Sequence, residues 1–79
     1  MKWKKGYKAY GYMNAIVFHG TDPQRLSAAS YHNIKDVYSR RKKFYIFITG
    51  KFPEIHYVNW YDAVTKQFKK QVLRKNFEL

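Results

Sequence analysis

The absence of cysteine constrains this chain most, because its 79 residues must fold without a disulfide. A zinc site built on cysteine is excluded for the same reason. A chain of this size buries only about 60% of the surface that it exposes when unfolded. The fold therefore depends on one small hydrophobic core, which has to be built from large side chains.

Aromatic residues provide that bulk, since the chain contains eight Tyr, six Phe and two Trp. Each aromatic side chain can bury about 150–250 Å². Their number exceeds what a core this small can hold. We therefore expect several of them, tyrosines above all, to lie at the surface.

The charge balance is the second unusual feature, because sixteen Lys and Arg face only five Asp and Glu and the formal net charge is +11. Self-repulsion on this scale opposes folding. It indicates a polyanionic partner, either nucleic acid or an anionic membrane surface. A general effect on solubility is the alternative, since net charge governs association and not fold.

The hydropathy pattern shows no run near the ~18 apolar residues of a membrane span. The basic start is not followed by the apolar stretch of a signal peptide. No repeat or flexible linker divides the chain. We predict one small basic domain over residues 1–79, with frayed ends at about 1–5 and 75–79, located in the cytoplasm, or in the host cytoplasm if the protein is viral.

The first half of the chain predicts a strand followed by a helix. Residues 7–18 contain β-forming side chains, and Gly11 indicates a bend within them. Thr21 or Asp22 before a proline is typical of a helix start, and the helix is expected to extend to about Arg40. Its apolar face would consist of Leu26, Ile34, Val37 and Tyr38.

The second half predicts two strands, because residues 44–49 are a continuous β-rich run and 54–59 alternate after a turn. Residues 59–74 are compatible with two structures. In the first, which we favour, Asn59 caps a helix with apolar residues at helical spacing. In the second, residues 62–65 form a turn and 66–73 return as a strand, although no Gly or Asn supports that turn.

The predicted fold is therefore α+β, in the order β-α-β-β-α. It has a small antiparallel sheet of about three strands, with one or two helices packed on one face.

The basic residues form three groups, which begin at Lys2, at Arg40 and at Lys66. Between Asp62 and Glu78 every charge is positive, whereas an ordinary solvated face usually mixes signs. Cations along a groove bind phosphates. The residues that we expect to do so are Arg40, Arg41, Lys42, Lys66, Lys69, Lys70 and Arg74.

Aromatic residues lie among these basic groups, and bases stack on exposed aromatic rings without regard to sequence. We expect Tyr45, Tyr57 and Trp60 to stack on bases. The main hypothesis is a non-enzymatic protein that binds DNA or RNA with little sequence preference. No cofactor or metal is predicted, since the chain has no phosphate-binding glycine loop and its acids are few and scattered.

Catalysis has weak support. A metal-independent ribonuclease would need a base and an acid beside cations, which His19 or His56 could provide together with Tyr57 and Arg40 or Arg41. A histidine without a paired partner in the sequence is usually structural. We therefore predict no enzymatic activity.

A second hypothesis is a protein partner with an acidic surface, because Tyr, Trp and Arg also dominate protein interfaces. Small chains of this kind occur in phages, viruses and mobile elements, where they bind and modulate host proteins. Binding at a membrane surface through a basic amphipathic C-terminal segment is a third possibility. A homodimer is also possible, if residues 7–18 form an edge strand that pairs with a second copy.

Overall fold

The computed structural model describes residues 11–79. They form four strands and one α-helix, and a single turn of 3-10 helix, Arg74–Asn76, follows the last strand. We label them β1 (Tyr12–His19), β2 (Ser27–Lys35), α1 (Tyr38–Lys51), β3 (Ile55–Asp62) and β4 (Phe68–Leu73).

The strands form one antiparallel sheet in the order β2-β1-β3-β4, and α1 lies on one of its faces. The predicted α+β class, with an antiparallel sheet and a helix on one face, is confirmed. The sheet has four strands where about three were expected. Over residues 11–79 the order is β-β-α-β-β, so the predicted order β-α-β-β-α is wrong.

The core lies between the sheet and α1. Alternate residues of β1, Met13, Ala15 and Val17, point towards the helix and are buried. Opposite them stand Val58 and Trp60 of β3, which β1 pairs directly. The helix closes this layer with the buried side chains of Phe44, Tyr45 and Ile48, and Phe77 joins them from the end of the chain.

The helix predicted over residues 21–40 is wrong, since residues 27–35 form β2 and only 38–40 are helical, at the start of α1. Asp22 does not cap a helix; it stabilises a turn, where its Oδ1 accepts the N–H of Gln24 (3.0 Å) and its carbonyl accepts that of Arg25 (2.9 Å). Asp supports both structures, because its short side chain bonds nearby backbone in either one. Strand β2 is exposed along most of its length, so its sequence carries little apolar alternation.

The strand predicted over residues 44–49 is also wrong, because this run lies inside α1. Phe44, Tyr45 and Ile48 are buried, while Ile46 and Phe47 are exposed, which is the pattern of one helical face. Packing on the sheet outweighs the β-propensity of the run, as tertiary context commonly does. The predicted pairing of 44–49 with 54–59 is therefore absent; β3 pairs with β1 and β4.

The last third forms the hairpin that was the less favoured of the two structures considered. Asp62 replaces the missing Gly or Asn: its Oδ1 accepts the N–H groups of Val64 and Thr65, each at 2.8 Å. Lys66 takes the left-handed conformation, with φ of 67°. This turn returns the chain into β4, so the preferred helix over 59–74 is wrong.

Residues 75–79 were expected to fray, but the structure packs two of them against the helix. The Phe77 ring stacks on Tyr45 with centroids 4.5 Å apart, and the Glu78 carboxylate accepts hydrogen bonds from Arg41. The expected fraying of residues 1–5 lies outside the described residues. In the part of the chain that is described, no helix has the length and apolarity needed to cross a membrane.

Candidate nucleic-acid interface

One face of the sheet is covered by α1. The other face has no helix on it among residues 11–79. Cross-strand partners in an antiparallel sheet point to the same side, so the pairing register identifies the residues of this face. We call it the open face. Its side chains are Asn14, Ile16, Phe18, Ser30, Tyr57, Asn59, Tyr61, Phe68, Gln71 and Leu73.

Two aromatic pairs lie on the open face. Phe18 of β1 stacks on Tyr57 of β3 with ring centroids 4.8 Å apart. Tyr61 of β3 meets Phe68 of β4 edge to face at 5.6 Å. Tyr57 and Tyr61 are four residues apart on one strand, which separates the pairs by about 13 Å. Phe68 is 57% exposed, so its ring is accessible to a ligand.

Polar groups lie between the two aromatic pairs. Gln71 donates a hydrogen bond from Nε2 to Asn59 Oδ1 across the strands (3.2 Å), and Ser30 stands on the other side of Ile16. A shallow cavity of about 160 Å³ opens beside them. Among its lining residues are Asn14, Ile16, Ser30, His32, Tyr61 and Lys66. Stacking surfaces and hydrogen-bonding groups are thus combined on one face.

Lys66 supplies positive charge to this cavity, and the β3–β4 turn fixes its position. The Lys66 N–H donates to the Asp62 carbonyl at 2.9 Å, which closes the turn. The backbone hydrogen bonds from Thr65 and Val64 hold the pKa of Asp62 below its ordinary value. Asp62 therefore remains ionised and committed to the turn, while Lys66 extends from the turn towards the open face.

Arg41 was predicted to bind phosphate, but the structure assigns it to an ion pair. Its guanidinium donates to Asp36 Oδ1 at 2.7 Å and to Glu78 Oε1 at 2.8 Å. The bond to Glu78 raises the pKa of Arg41 and lowers that of Glu78. Arg41 thus links the loop before α1 to the end of the chain.

The other predicted phosphate ligands do not form one surface with Lys66. Arg40 and Lys42 are on α1, where Lys42 Nζ lies 6.0 Å from the Tyr38 ring centroid. Lys70 opposes Trp60 and so projects to the helix side of the sheet, and Lys69 lies at the bulge beside it. Arg74 donates to the Pro53 carbonyl at 2.8 Å.

Two of the three predicted stacking residues are in the core. Tyr45 is 1% exposed and Trp60 is fully buried, and Trp60 Nε1–H donates to Tyr45 Oη at 3.0 Å. A base cannot reach either ring in this fold, so these two assignments are corrected. Tyr57, the third predicted stacking residue, lies on the open face.

The open face also carries Phe18, Tyr61 and Phe68, which were not predicted as stacking residues. Phe68 lies in the segment 59–74 that was expected to be a helix, and the strand predicted over 7–18 was given no open side. The alternation in β3 contained a usable signal, because it places Tyr57 and Asn59 on one side. Continued by one step, the same alternation places Tyr61 with them.

The histidines considered for catalysis have structural contacts. His19 stacks on Phe52 with centroids 4.1 Å apart. His56 Nε2–H donates to the Gly20 carbonyl at 2.9 Å. Among residues 11–79, His, Asp and Glu side chains do not gather in groups of three that could hold a metal ion.

No family model, curated protein or solved structure matches this chain.

Proposed function

We propose that this protein binds single-stranded nucleic acid along the open face of its sheet, with bases on the aromatic pairs and a phosphate at Lys66. The observation that carries the proposal is the Tyr61–Phe68 pair beside a shallow cavity and Lys66, on a face without a helix in residues 11–79. Base–aromatic stacking contributes about 1–3 kcal/mol per base and is tolerant of sequence. The net charge of +11 favours a phosphate backbone.

Single strands suit this face better than a duplex does. Bases in a duplex are stacked on one another, so their π-faces are not accessible to side chains such as Phe68. Asn59 and Gln71 lie between the aromatic pairs and can bond the polar edges of bases. Their amides both donate and accept, so they impose little base preference. The expected ligand is therefore an unpaired stretch of DNA or RNA.

Binding of labelled single- and double-stranded DNA and RNA across a salt series tests the proposal. For single strands, the logarithm of the affinity should fall linearly with that of the salt concentration, with a slope near 0.7 per phosphate neutralised. Equal or tighter binding of the duplex would contradict the assignment to stacked bases. Absence of binding at low salt, where electrostatic attraction is strongest, would refute nucleic-acid binding altogether.

A matched pair of variants locates the site. Phe68→Ala should weaken single-strand binding by roughly 5- to 150-fold, the equivalent of one lost stacking contact. Phe47→Ala is the control, because Phe47 is similarly exposed (50%) but belongs to α1, on the other side of the sheet. Equal losses in both variants, or no loss in Phe68→Ala, would place the site elsewhere.

A further inference from the structure

Strand β2 is an edge of the sheet, and most of its length lacks the usual protection against pairing. It bonds to β1 on one side, and none of residues 11–79 forms a strand on its other side. From Ser27 to Ile34 it contains no Lys, Arg, Asp, Glu or Pro. Edge strands normally carry such residues, because a free row of N–H and C=O groups accepts other strands. Only the bulge at Asn33 interrupts this edge.

The opposite edge, β4, shows the protection that β2 lacks. It is six residues long and carries Lys69 and Lys70 within the strand. Lys66 precedes it and Arg74 follows it. The two edges of the same sheet therefore differ in their capacity to accept a strand, and β2 is the competent one.

The helix forms a wall beside the β2 edge. Tyr31 of β2 meets Phe44 and Phe47 of α1 edge to face, at 5.5 and 5.8 Å between centroids. Phe47 remains half exposed, so an apolar surface is available directly above the edge. Beyond it opens a cavity of about 480 Å³ beside the end of β2. Lys35, Arg40 and Lys43 line this cavity, and none of its lining residues is acidic.

We propose that the β2 edge binds an extended acidic segment of a partner protein, which adds to the sheet as a fifth strand. The main chain of the segment pairs with Ser27–Asn33, as in other complexes formed by strand addition. One apolar side chain of the segment covers Phe47 and Tyr31. The carboxylates of the segment lie against Lys35, Arg40 and Lys43.

Charge complementarity selects this occupant over a second copy. Antiparallel self-pairing of β2 centred on Ser30 would bring Lys35 of one molecule towards Arg25, just before β2, of the other, at both ends of the interface by symmetry. Like charges placed opposite each other destabilise a strand pair. Nucleic acid fits this edge less well than a peptide strand does, because its phosphates only accept hydrogen bonds and its backbone offers no row of N–H donors at the spacing of the free β2 carbonyls.

The experiment uses the full chain, labelled with ¹⁵N, and a short synthetic peptide that alternates valine with threonine at its centre and carries consecutive glutamates at both ends, so that carboxylates face both sides of the strand. Titration should shift the amide resonances of Ser27–Asn33 and slow exchange at those of their N–H groups that point away from β1. The same peptide with lysine in place of glutamate should not bind. Shifts confined to other strands or to α1, or no shifts, would overturn the proposal.

Two matched pairs of variants separate the contacts. Lys43→Glu should weaken binding of the glutamate peptide by about fivefold or more. Lys75→Glu makes the same charge change away from the edge and should leave peptide binding unchanged. Phe47→Ala should also weaken peptide binding. Ile46→Ala should not, although Ile46 is similarly exposed (53%). Equal effects within either pair would overturn the proposed geometry.

Two further outcomes assign the edge to another occupant. Sedimentation that shows a dimer in the absence of peptide, abolished by Ala28→Lys, would mean that the edge binds a second copy. Oligonucleotide that shifts the same β2 amides and competes with the peptide would make the edge part of the nucleic-acid site. Phe68→Ala is expected to leave peptide binding unchanged, so failure here and failure of nucleic-acid binding can be told apart.

Discussion

Removing the Tyr45 hydroxyl tests whether Tyr45 and Trp60 are core residues or ligand contacts. In Tyr45→Phe the ring stays in place, but Trp60 Nε1–H loses its acceptor at 3.0 Å. Both side chains are essentially without solvent, so water cannot replace the bond. A buried donor left without a partner costs about 1–3 kcal/mol.

The expected change in melting temperature follows from that cost. For a domain of 60–100 residues, 1 kcal/mol lowers the midpoint by roughly 4–8 °C. A loss of about 2 kcal/mol, the middle of the range, therefore corresponds to about 8–16 °C. Thermal unfolding followed by circular dichroism measures this directly, and urea unfolding checks that the transition slope is unchanged.

The control is Tyr61→Phe, which removes a hydroxyl from the open face and should change stability by no more than about 0.5 kcal/mol. Nucleic-acid affinity of Tyr45→Phe, measured well below its midpoint, should equal that of the unmodified protein. If Tyr45→Phe were as stable as the unmodified protein but bound nucleic acid more weakly, the core assignment would be refuted. Tyr45 would then contact ligand, as its sequence position first suggested.

Three further predictions concern the end of the chain and the open face. Glu78→Gln should reduce stability at neutral pH, because the ionised carboxylate has a lowered pKa in the folded state. The difference from the unmodified protein should persist above about pH 4.3 and shrink as the pH falls below that value. Unfolding curves recorded from pH 7 to 3 measure it. Phe77→Ala should cost about 3 kcal/mol or more in urea unfolding, because the ring is buried against Tyr45. Lys66→Gln should weaken single-strand binding and lower the salt slope by about 0.7, and an unchanged slope would mean that Lys66 contacts no phosphate.

The fold class was predictable from the sequence, and two of its strands were placed near their positions. Residues 7–18 and 54–59 carry β-branched and aromatic residues with alternation, and β1 and β3 fall on them. Both are central strands, and their buried sides leave a clear pattern in the sequence. The prediction that residues 7–18 form an edge strand is wrong for residues 12–18, since β1 lies between β2 and β3. Residues 7–10 lie outside the described part of the chain.

Of the two edge strands, β2 was missed and β4 was the less favoured alternative, because bulges interrupt their alternation. In β2, Ala29 and Tyr31 face the helix, but the bulge at Asn33 shifts the next inward position to Ile34. The resulting spacing of two and then three resembles helical spacing. In β4 the register shifts in the same way beside Lys69. A period that changes within a strand cannot be identified from a single sequence.

The presence of exposed aromatic rings was predictable from their number, but their identity was not. The sequence does not show which side of a strand the helix covers. Trp60 and Tyr61 are adjacent and point to opposite sides, and α1 covers the side of Trp60. Which of the two rings is buried and which is exposed depends on contacts with residues distant in sequence.

The position of Phe77 has a consequence for the order of folding. The core between α1 and the sheet is incomplete until residue 77 is available, because that ring covers Tyr45. During synthesis, a chain that ends at β4 would hold an assembled sheet with an apolar gap beside the helix, a state prone to association with other unfinished chains. Stalled chains released after Leu73 should be degraded or aggregate, whereas chains extended to Glu78 should resist proteolysis. Residues 74–78 thus complete the core, and pulse proteolysis of nascent chains of both lengths would measure their contribution.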